Sequence, residues 1–210
     1  FIHDADVDKF IDAMTQQDKF PFSTMKLREE LKHTFWLLNR VASAKALAKL
    51  LKEHEVFSEY EVIIAAGDGN AEAEDISKNE ASLERVKKAI EENDKTITLS
   101  VGQLTTGITI PEWTAVMMLT NIKSPSLYMQ AAFRAQNAYE FEEDSELKRK
   151  ENAYIFDFAP DRALSVMAES AQVNSGVGKK NTQEQKDMLT CLLNFMPILG
   201  NNEMGMTSFN

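Results

Sequence analysis

Short apolar runs alternate with amphipathic stretches through the middle of the chain. Apolar runs of five or six residues, rich in β-branched side chains and bounded by polar segments, are typical of strands buried in a parallel sheet. Such strands are predicted at 34–39, 61–66, 96–100, 115–119 and 153–158. Helical spacing of apolar residues lies between several of them, for example over 42–54. Alternating strands and helices favour an α/β fold, with an open, mainly parallel sheet and helices on both faces.

The two ends of the chain carry helical patterns and no further strands. Residues 4–17 form an amphipathic helix behind Asp4, and a second helix follows Ser23 or Thr24. Beyond residue 160, apolar spacing predicts two more helices, at 161–172 and 182–195. We therefore divide the chain into an N-terminal helical segment at 1–33, an α/β domain at 34–160 and a helical C-terminal extension at 161–210. Polar loops are expected at 68–79 and 140–146.

Composition narrows the classes of partner and compartment. The 210 residues carry a net charge of −10, which argues against a broad basic surface for nucleic acid but leaves narrow contacts open. The single cysteine allows no internal disulfide and fits a reducing, cytoplasmic compartment. Neither a membrane-spanning apolar run nor a signal peptide is visible, and no metal site is predicted. The chain starts at Phe1, so we expect it to be part of a longer protein.

The most informative stretch runs from residue 96 to residue 139. The sequence LTTGITIPE at 104–112 follows a predicted strand, and the carboxyl ends of strands in open α/β sheets are where ligands bind. The sequence QAAFRAQN at 130–137 lies in a predicted helix. Gln130 and Arg134 are four residues apart, which places both on one helical face.

These two segments resemble motifs V and VI of superfamily 2 helicases and translocases of the DEAD/DEAH type. The form is similar to that in the helicase/translocase subunits of type I and type III restriction enzymes. The resemblance implies that residues 34–160 are a second RecA-like domain. Three positions depart from the family pattern. Thr109 replaces the usual Asp of motif V, Phe133 the usual Gly of motif VI, and Asn137 its second Arg.

The resemblance also implies a function, namely the second motor domain of an ATP-dependent DNA helicase or translocase. Arg134 would reach across to a composite ATP site, and Gln130 would orient nucleotide or water. Gly107 would let the backbone approach the nucleotide, and Thr109 would offer it a hydroxyl. ATP and Mg²⁺ would be held mainly by the first RecA-like domain. No P-loop is present, so the isolated chain is expected to be inactive.

Contacts with the DNA backbone are implied at two places. In the family, the turn after the first strand touches nucleic acid, which here points to Asn39, Arg40 and Ser43. Thr105 and Thr106 would add hydroxyl contacts. An equally weighted alternative is that Asn39 only ends the strand and Ser43 only caps the helix.

The expected partners are DNA, the first RecA-like domain of the same parent chain, and nuclease or methyltransferase modules. Two other functions stay open from the sequence. The chain could be half of an RNA helicase, which the restriction-like motif V disfavours. It could also be a RecA-like interaction domain without catalytic activity, which Asn137 in place of an arginine favours.

Overall fold

A computed structural model describes residues 4–17, 20–66, 72–102, 108–143, 145–159, 199–202 and 205–208, with single positions between 162 and 190. The helices and strands of these residues are, in chain order, α1 (Asp4–Gln16), α2 (Met25–Glu30), β1 (His33–Leu38), α3 (Val41–Glu53), β2 (Glu61–Ala66), α4 (Glu72–Glu92), β3 (Thr96–Val101), β4 (Ala115–Met118), α5 (Pro125–Ala132), β5 (Glu140–Glu143), β6 (Glu146–Arg149), β7 (Tyr154–Asp157), β8 (Leu199–Asn202) and β9 (Gly205–Ser208). Short 3-10 helices lie at Phe57–Glu59 and Phe133–Ala135.

Five strands form one sheet in the order β2-β3-β1-β4-β7. The pairs β1–β3, β1–β4 and β2–β3 are all parallel, and Phe35 of β1 lies between Thr98 of β3 and Val116 of β4. Each predicted strand is present to within one or two residues at either end. The predicted α/β fold with a mainly parallel sheet is therefore confirmed.

Both faces of the sheet are covered, as the unbroken apolar strands require. On one face, Trp36 and Leu38 of β1 belong to the hydrophobic core that α1 and α3 help to form. On the other face, the ring of Phe35 packs against Trp113, with centroids 4.5 Å apart. Helix α4 packs against β2 and β3. Alternate side chains of the same strand thus point into two different layers.

Trp36 is the centre of the first layer. Its ring lies 6.1 Å from that of Phe22 and 5.8 Å from that of Phe57. Its indole N–H donates to the hydroxyl of Thr34 at 2.8 Å, so burial leaves the polar atom of the ring satisfied. Phe22 has a φ of 67°, a left-handed conformation that is uncommon for a bulky side chain. The aromatic contacts of Phe22 hold that turn in place.

Two segments that the sequence predicts as polar loops belong instead to a helix and to a β-hairpin. Helix α4 already begins at Glu72, so the loop prediction for 68–79 is wrong from that residue onward. The cause is helix propensity, since the segment AEAEDISKNE contains no Gly or Pro and is rich in Ala and Glu. The loop expected at 140–146 is instead the start of the antiparallel β5–β6 hairpin. Its strands remain largely exposed, which is why its acidic sequence shows no apolar alternation.

The N-terminal segment follows the sequence prediction. Helix α1 occupies the expected range, and Thr24 is the N-cap of α2, where its hydroxyl accepts from the amide of Leu27 at 3.2 Å. The helices expected at 161–172 and 182–195 lie for the most part outside the described residues. Within the predicted C-terminal extension, β8 and β9 pair as an antiparallel hairpin, which the sequence did not predict.

The chain divides into two compact units. One unit comprises residues 1–121 and 130–156, and it contains the five-stranded sheet as far as residue 156. The other comprises residues 122–129 and 157–210, and it contains the β8–β9 hairpin. Among the helices that the structure describes, none has the combination of length and apolar character required to cross a bilayer.

Truncating Leu99 tests the role of the central sheet in stability. Leu99 of β3 is fully buried, so Leu99→Ala should lower the free energy of unfolding by about 2–5 kcal/mol through lost burial and a cavity. Leu147 is 75% exposed, and the matched change Leu147→Ala should cost less than about 0.5 kcal/mol. Urea unfolding followed by circular dichroism measures both, and equal losses would contradict this layer assignment.

Candidate functional site at the carboxyl edge of the sheet

Strands β1 and β3 are neighbours, and the segments that follow them pack on opposite faces of the sheet. A crevice is expected between the ends of these two strands. Helix α3 follows β1 and joins the core around Trp36. The connection after β3 leads instead to Trp113, on the face of Phe35. In open α/β sheets, such a reversal at the carboxyl ends of adjacent strands is the usual place for a ligand. Gly102, with a φ of 69°, ends β3 at this edge in a conformation that favours glycine.

The residues predicted to touch nucleic acid lie partly at this edge. Asn39 and Arg40 are exposed and directly follow β1. Arg40 is the N-cap of α3 but makes no capping hydrogen bond with its side chain. Ser43 lies in the first turn of that helix, three positions after the N-cap, so the alternative that Ser43 caps the helix is wrong. Thr105 and Thr106 lie outside the described residues.

The described part of the motif V segment begins at Ile108, and Gly107 lies outside it. Thr109 is exposed and lines an open pocket of about 280 Å³ together with Lys87, Ile90, Glu91, Pro111 and Glu112. Two carboxylates and one ammonium line this pocket, a charge balance that does not favour phosphate. The carboxyl edge of the sheet is therefore the better candidate for an anionic ligand.

Arg134 connects the two motif segments. It lies in the 3-10 turn that follows α5, not in the α-helix itself, and it is partly buried. Its Nε donates to the carbonyl of Gln130 at 3.1 Å, and its Nη1 donates to the carbonyl of Ile108. Burial lowers the pKa of Arg134, although a guanidinium stays charged in proteins. These two hydrogen bonds fix the plane of the guanidinium against the motif V segment.

The two unusual residues of motif VI have separate environments. Asn137 donates from its side-chain amide to the carbonyl of Arg134 at 3.2 Å, so it satisfies a carbonyl at the end of the turn. Phe133 is 43% exposed. Gln130 is exposed on α5, and its carbonyl is the group that contacts Arg134.

Lys150 is a site residue that sequence reasoning missed. Its ammonium donates to three backbone carbonyls, those of Pro111 at 2.9 Å, Trp113 at 3.0 Å and Ala135 at 2.9 Å. An ammonium has three N–H donors, so its hydrogen-bonding capacity is filled. Pro111 belongs to the motif V segment, Trp113 directly follows that segment, and Ala135 belongs to the Arg134 turn. No spacing rule predicts this, because Lys150 follows the whole β5–β6 hairpin.

The electrostatics around Lys150 follow from its burial. Removal from water lowers the pKa of Lys150 to about 8, and the carboxylate of Glu112 opposes that shift. Most molecules therefore still carry the ammonium at pH 7. Burial raises the pKa of Tyr139, and Glu112 adds to that shift. The charge of Lys150 also lies at the carbonyl end of a helical turn, where the helix dipole favours a cation.

Asp157, which ends β7, has a structural environment. Arg162 donates to its two carboxylate oxygens, from Nη2 at 2.5 Å and from Nε at 3.1 Å, and the amide of Ala159 donates at 2.9 Å. The Asp157 side chain is only 5% exposed. Among the described residues, no cluster of three or more His, Cys, Asp or Glu could hold a metal ion.

Known proteins similar to this chain include one sequence relative and two solved structures. No family model matches the chain. Over 179 residues, or 80% of its length, the chain is 31% identical to the C-terminal protein of RM.MpnORF110P, a proposed type II restriction enzyme and methyltransferase of Mycoplasma pneumoniae. This chain resembles part of a restriction–modification enzyme. It spans 24% of that relative, so it corresponds to about a quarter of the longer protein. The restriction-enzyme resemblance inferred from motifs V and VI is thereby confirmed.

The two structures are more distant. One is a C-terminal domain variant of Dbp5 from S. cerevisiae, bound to a Gle1 variant and IP6. It has a TM-score of 0.43 and 15% identity, over 76% of this chain and 84% of that one. The other is the ATP-dependent type ISP restriction–modification enzyme LlaBIII bound to DNA, with a TM-score of 0.43 and 17% identity. It is matched over 90% of this chain and 12% of its own length.

The ion pair of Asp157 gives a test of its structural role. Arg162→Met leaves a buried carboxylate without its partner and should lower the free energy of unfolding by about 3–5 kcal/mol. Replacing both residues, as Asp157→Leu with Arg162→Met, should restore most of the loss, since no buried charge then remains. Thermal unfolding of the three proteins measures this. A loss well under 1 kcal/mol for Arg162→Met would contradict the assignment.

Proposed function

We propose that this chain is the second motor domain of an ATP-dependent DNA helicase or translocase of a restriction enzyme. Its role would be to complete a composite ATP site and to contact the DNA backbone. The observation that carries the proposal is the hydrogen bond from Arg134 to the carbonyl of Ile108, which joins the motif VI turn to the motif V segment. The sequence similarity to a proposed restriction enzyme and methyltransferase supports it.

The geometry of Arg134 suits a residue that stabilises charge on a transferring phosphoryl group. Phosphoryl transfer depends mainly on positioning and electrostatic stabilisation. The two carbonyl contacts use two of the five N–H donors of the guanidinium, which leaves three for phosphate oxygens. Because its plane is already fixed, little reorganisation is needed when negative charge develops. Gln130 is exposed one turn earlier and would orient the nucleotide or the attacking water.

ATP and Mg²⁺ would be held mainly by the first RecA-like domain. Among the residues that the structure describes, Arg134 could contact phosphate charge, and no group of three or more His, Cys, Asp or Glu could hold a metal ion. Gly107 and Thr109 would approach the nucleotide from the motif V segment. When bound in the intact protein, ATP would supply the phosphoryl group and Mg²⁺ would neutralise part of its charge. This chain by itself should not hydrolyse ATP above background.

The DNA contact is proposed at the start of α3. The first amide groups of a helix lack partners within the helix and favour phosphate groups. Arg40 is exposed beside them, and Asn39 and Ser43 flank it. Thr105 and Thr106 would add hydroxyl donors. They follow β3 in the chain, and β3 is paired with β1 in the sheet.

The alternative of a non-catalytic RecA-like interaction domain rests on Asn137, because that residue replaces the second arginine of motif VI. In this structure the side-chain amide of Asn137 donates to the carbonyl of Arg134, so the charged contact with phosphate is assigned to Arg134. Half of an RNA helicase is a further alternative, which the restriction-enzyme relative disfavours. A cytoplasmic location is part of the proposal, as are nuclease or methyltransferase modules as partners.

Substituting Arg134 tests the proposed ATP site. In the protein that carries both RecA-like halves, Arg134→Ala should lower single-turnover ATP hydrolysis by roughly 10³-fold or more, as for other arginine fingers. Nucleotide affinity should change little, because the interaction is made mainly in the transition state. Arg134→Lys should rescue poorly, since a point charge does not reproduce the planar fork.

The matched control is Arg85→Ala. Arg85 is an exposed arginine of α4 that contacts Ser82 of its own helix at 3.1 Å, so its loss should leave hydrolysis unchanged. Normal ATP turnover in a folded Arg134→Ala protein would contradict the proposed role of Arg134.

The DNA contact has its own test. Binding of duplex DNA to this chain should be weak and salt-sensitive, because few basic residues cluster in it. Arg40→Ala should reduce the slope of log affinity against log salt by about 0.9, the effect of one lost phosphate contact. Lys45→Ala, an exposed change in the same helix, serves as the control. Tight binding at physiological salt that survives changes at Arg40, Ser43, Thr105 and Thr106 would place the DNA surface elsewhere.

A further inference from the structure

The most unusual contact in this part of the molecule is the set of three hydrogen bonds made by Lys150. They connect two carbonyls of the 108–114 segment to the carbonyl of Ala135, which is the neighbour of Arg134 in the chain. The backbone amide of Lys150 also donates to the carbonyl of Tyr139 at 2.9 Å. This hydrogen bond holds the backbone from which the Lys150 side chain extends. A half-buried ammonium thus joins three separate stretches of backbone.

We propose that Lys150 is a positioning residue, which holds the 108–114 segment and the Arg134 turn together as one body. The inference rests on the proposed function only where it concerns ATP turnover. The proposed role of Lys150 involves no direct contact with nucleotide or DNA. It acts through Arg134, whose guanidinium is anchored on the carbonyl of Ile108 in the same segment.

The physical reason is that Arg134 takes its position from the segment that Lys150 fixes. Without the ammonium, the carbonyls of Pro111, Trp113 and Ala135 would each lose a charged donor, and buried carbonyls need partners. The 108–114 segment and the turn would then separate, and Ile108 would move relative to Arg134. A displacement of about 1 Å at a catalytic group can lower a rate by on the order of 10²-fold.

The protonation state of Lys150 gives the inference a distinctive signature. A neutral amine has two N–H donors and no charge, so one carbonyl loses its partner when Lys150 deprotonates. Burial sets the pKa of this group to about 8. The charged group that faces it from the 108–114 segment is Glu112. Two further titratable residues belong to the backbone that Lys150 contacts: Tyr139, whose carbonyl accepts from the amide of Lys150 and whose pKa is raised by burial, and Arg134, which precedes Ala135 and stays cationic.

The first test is amide hydrogen exchange of this chain, which does not depend on any activity. In Lys150→Met, protection should fall by about tenfold or more at residues 109–113 and 134–136, with β1 and β3 unchanged. Lys150→Arg should have a smaller effect, since it keeps the charge and loses the threefold geometry. The control is Lys95→Met, because Lys95 is also a poorly exposed lysine but contacts Glu59, close to the start of β2, which is at the other end of the strand order from β7. Unchanged protection at 109–113 and 134–136 in folded Lys150→Met overturns the proposal.

Should Lys150→Met fail to fold, Lys150→Arg carries the same test. Its loss of protection should be confined to residues 109–113 and 134–136. Loss spread evenly over the whole sheet would mean a general structural role and would overturn the positioning role.

The second test measures ATP turnover in the protein that carries both halves. Lys150→Met should lower kcat by on the order of 10²-fold with little change in the KM for ATP. Wild-type kcat should fall, relative to that of Lys150→Arg, as pH rises through about 8, because only lysine deprotonates there. Parallel pH profiles for the two proteins would contradict the role of the ammonium.

The two proposals fail in different ways. If Arg134→Ala keeps normal turnover, the proposed function fails, while local exchange still decides whether Lys150 joins the segments. If Arg134→Ala abolishes turnover and Lys150→Met does not change it, only the positioning role of Lys150 is overturned.

Discussion

Burial of β1 on both faces is the constraint on which the rest of the structure depends. The strand lies between β3 and β4, so its backbone is paired on both sides. Trp36 on one face and Phe35 on the other then require a covering layer each, which α3 and the Trp113 segment supply. Those two layers follow neighbouring strands and leave on opposite faces. A crevice at the carboxyl edge is expected from this arrangement.

The same arrangement explains why the motif V segment lies close to the motif VI turn. Packing of Trp113 on Phe35 brings the 108–114 segment over β1. The turn of Arg134 packs against β1 and β4 on the way to the β5–β6 hairpin. Two segments of irregular backbone therefore meet above the sheet, and irregular backbone needs polar partners when it is buried. Arg134 and Lys150 supply them as charged donors to five carbonyls in all.

The sequence predicted most of the sheet, because a strand buried on both faces must be continuously apolar. Strand β2, for example, occupies the predicted range of 61–66. The sequence could not predict the β5–β6 hairpin, because the exposed strands of that hairpin need no apolar alternation. Helix α4 was underestimated because its first turns are polar and lack an apolar stripe. Lys150 was missed for another reason: its partners are distant in the sequence and are backbone atoms, which leave no trace in residue identity. Motif identity pointed to Arg134, yet its contact with Ile108 comes only from the folded chain.

The central claim is that Arg134 stabilises the transition state of phosphoryl transfer. Its most direct test is the affinity of the protein that carries both halves for a planar phosphoryl analogue bound with ADP and Mg²⁺. Such analogues bind on the order of 10²-fold or more tightly than substrates, because the site complements the transition state. We expect Arg134→Ala to lose that preference while its affinity for ADP stays near the wild-type value. An undiminished preference for the analogue in the folded variant would contradict the account.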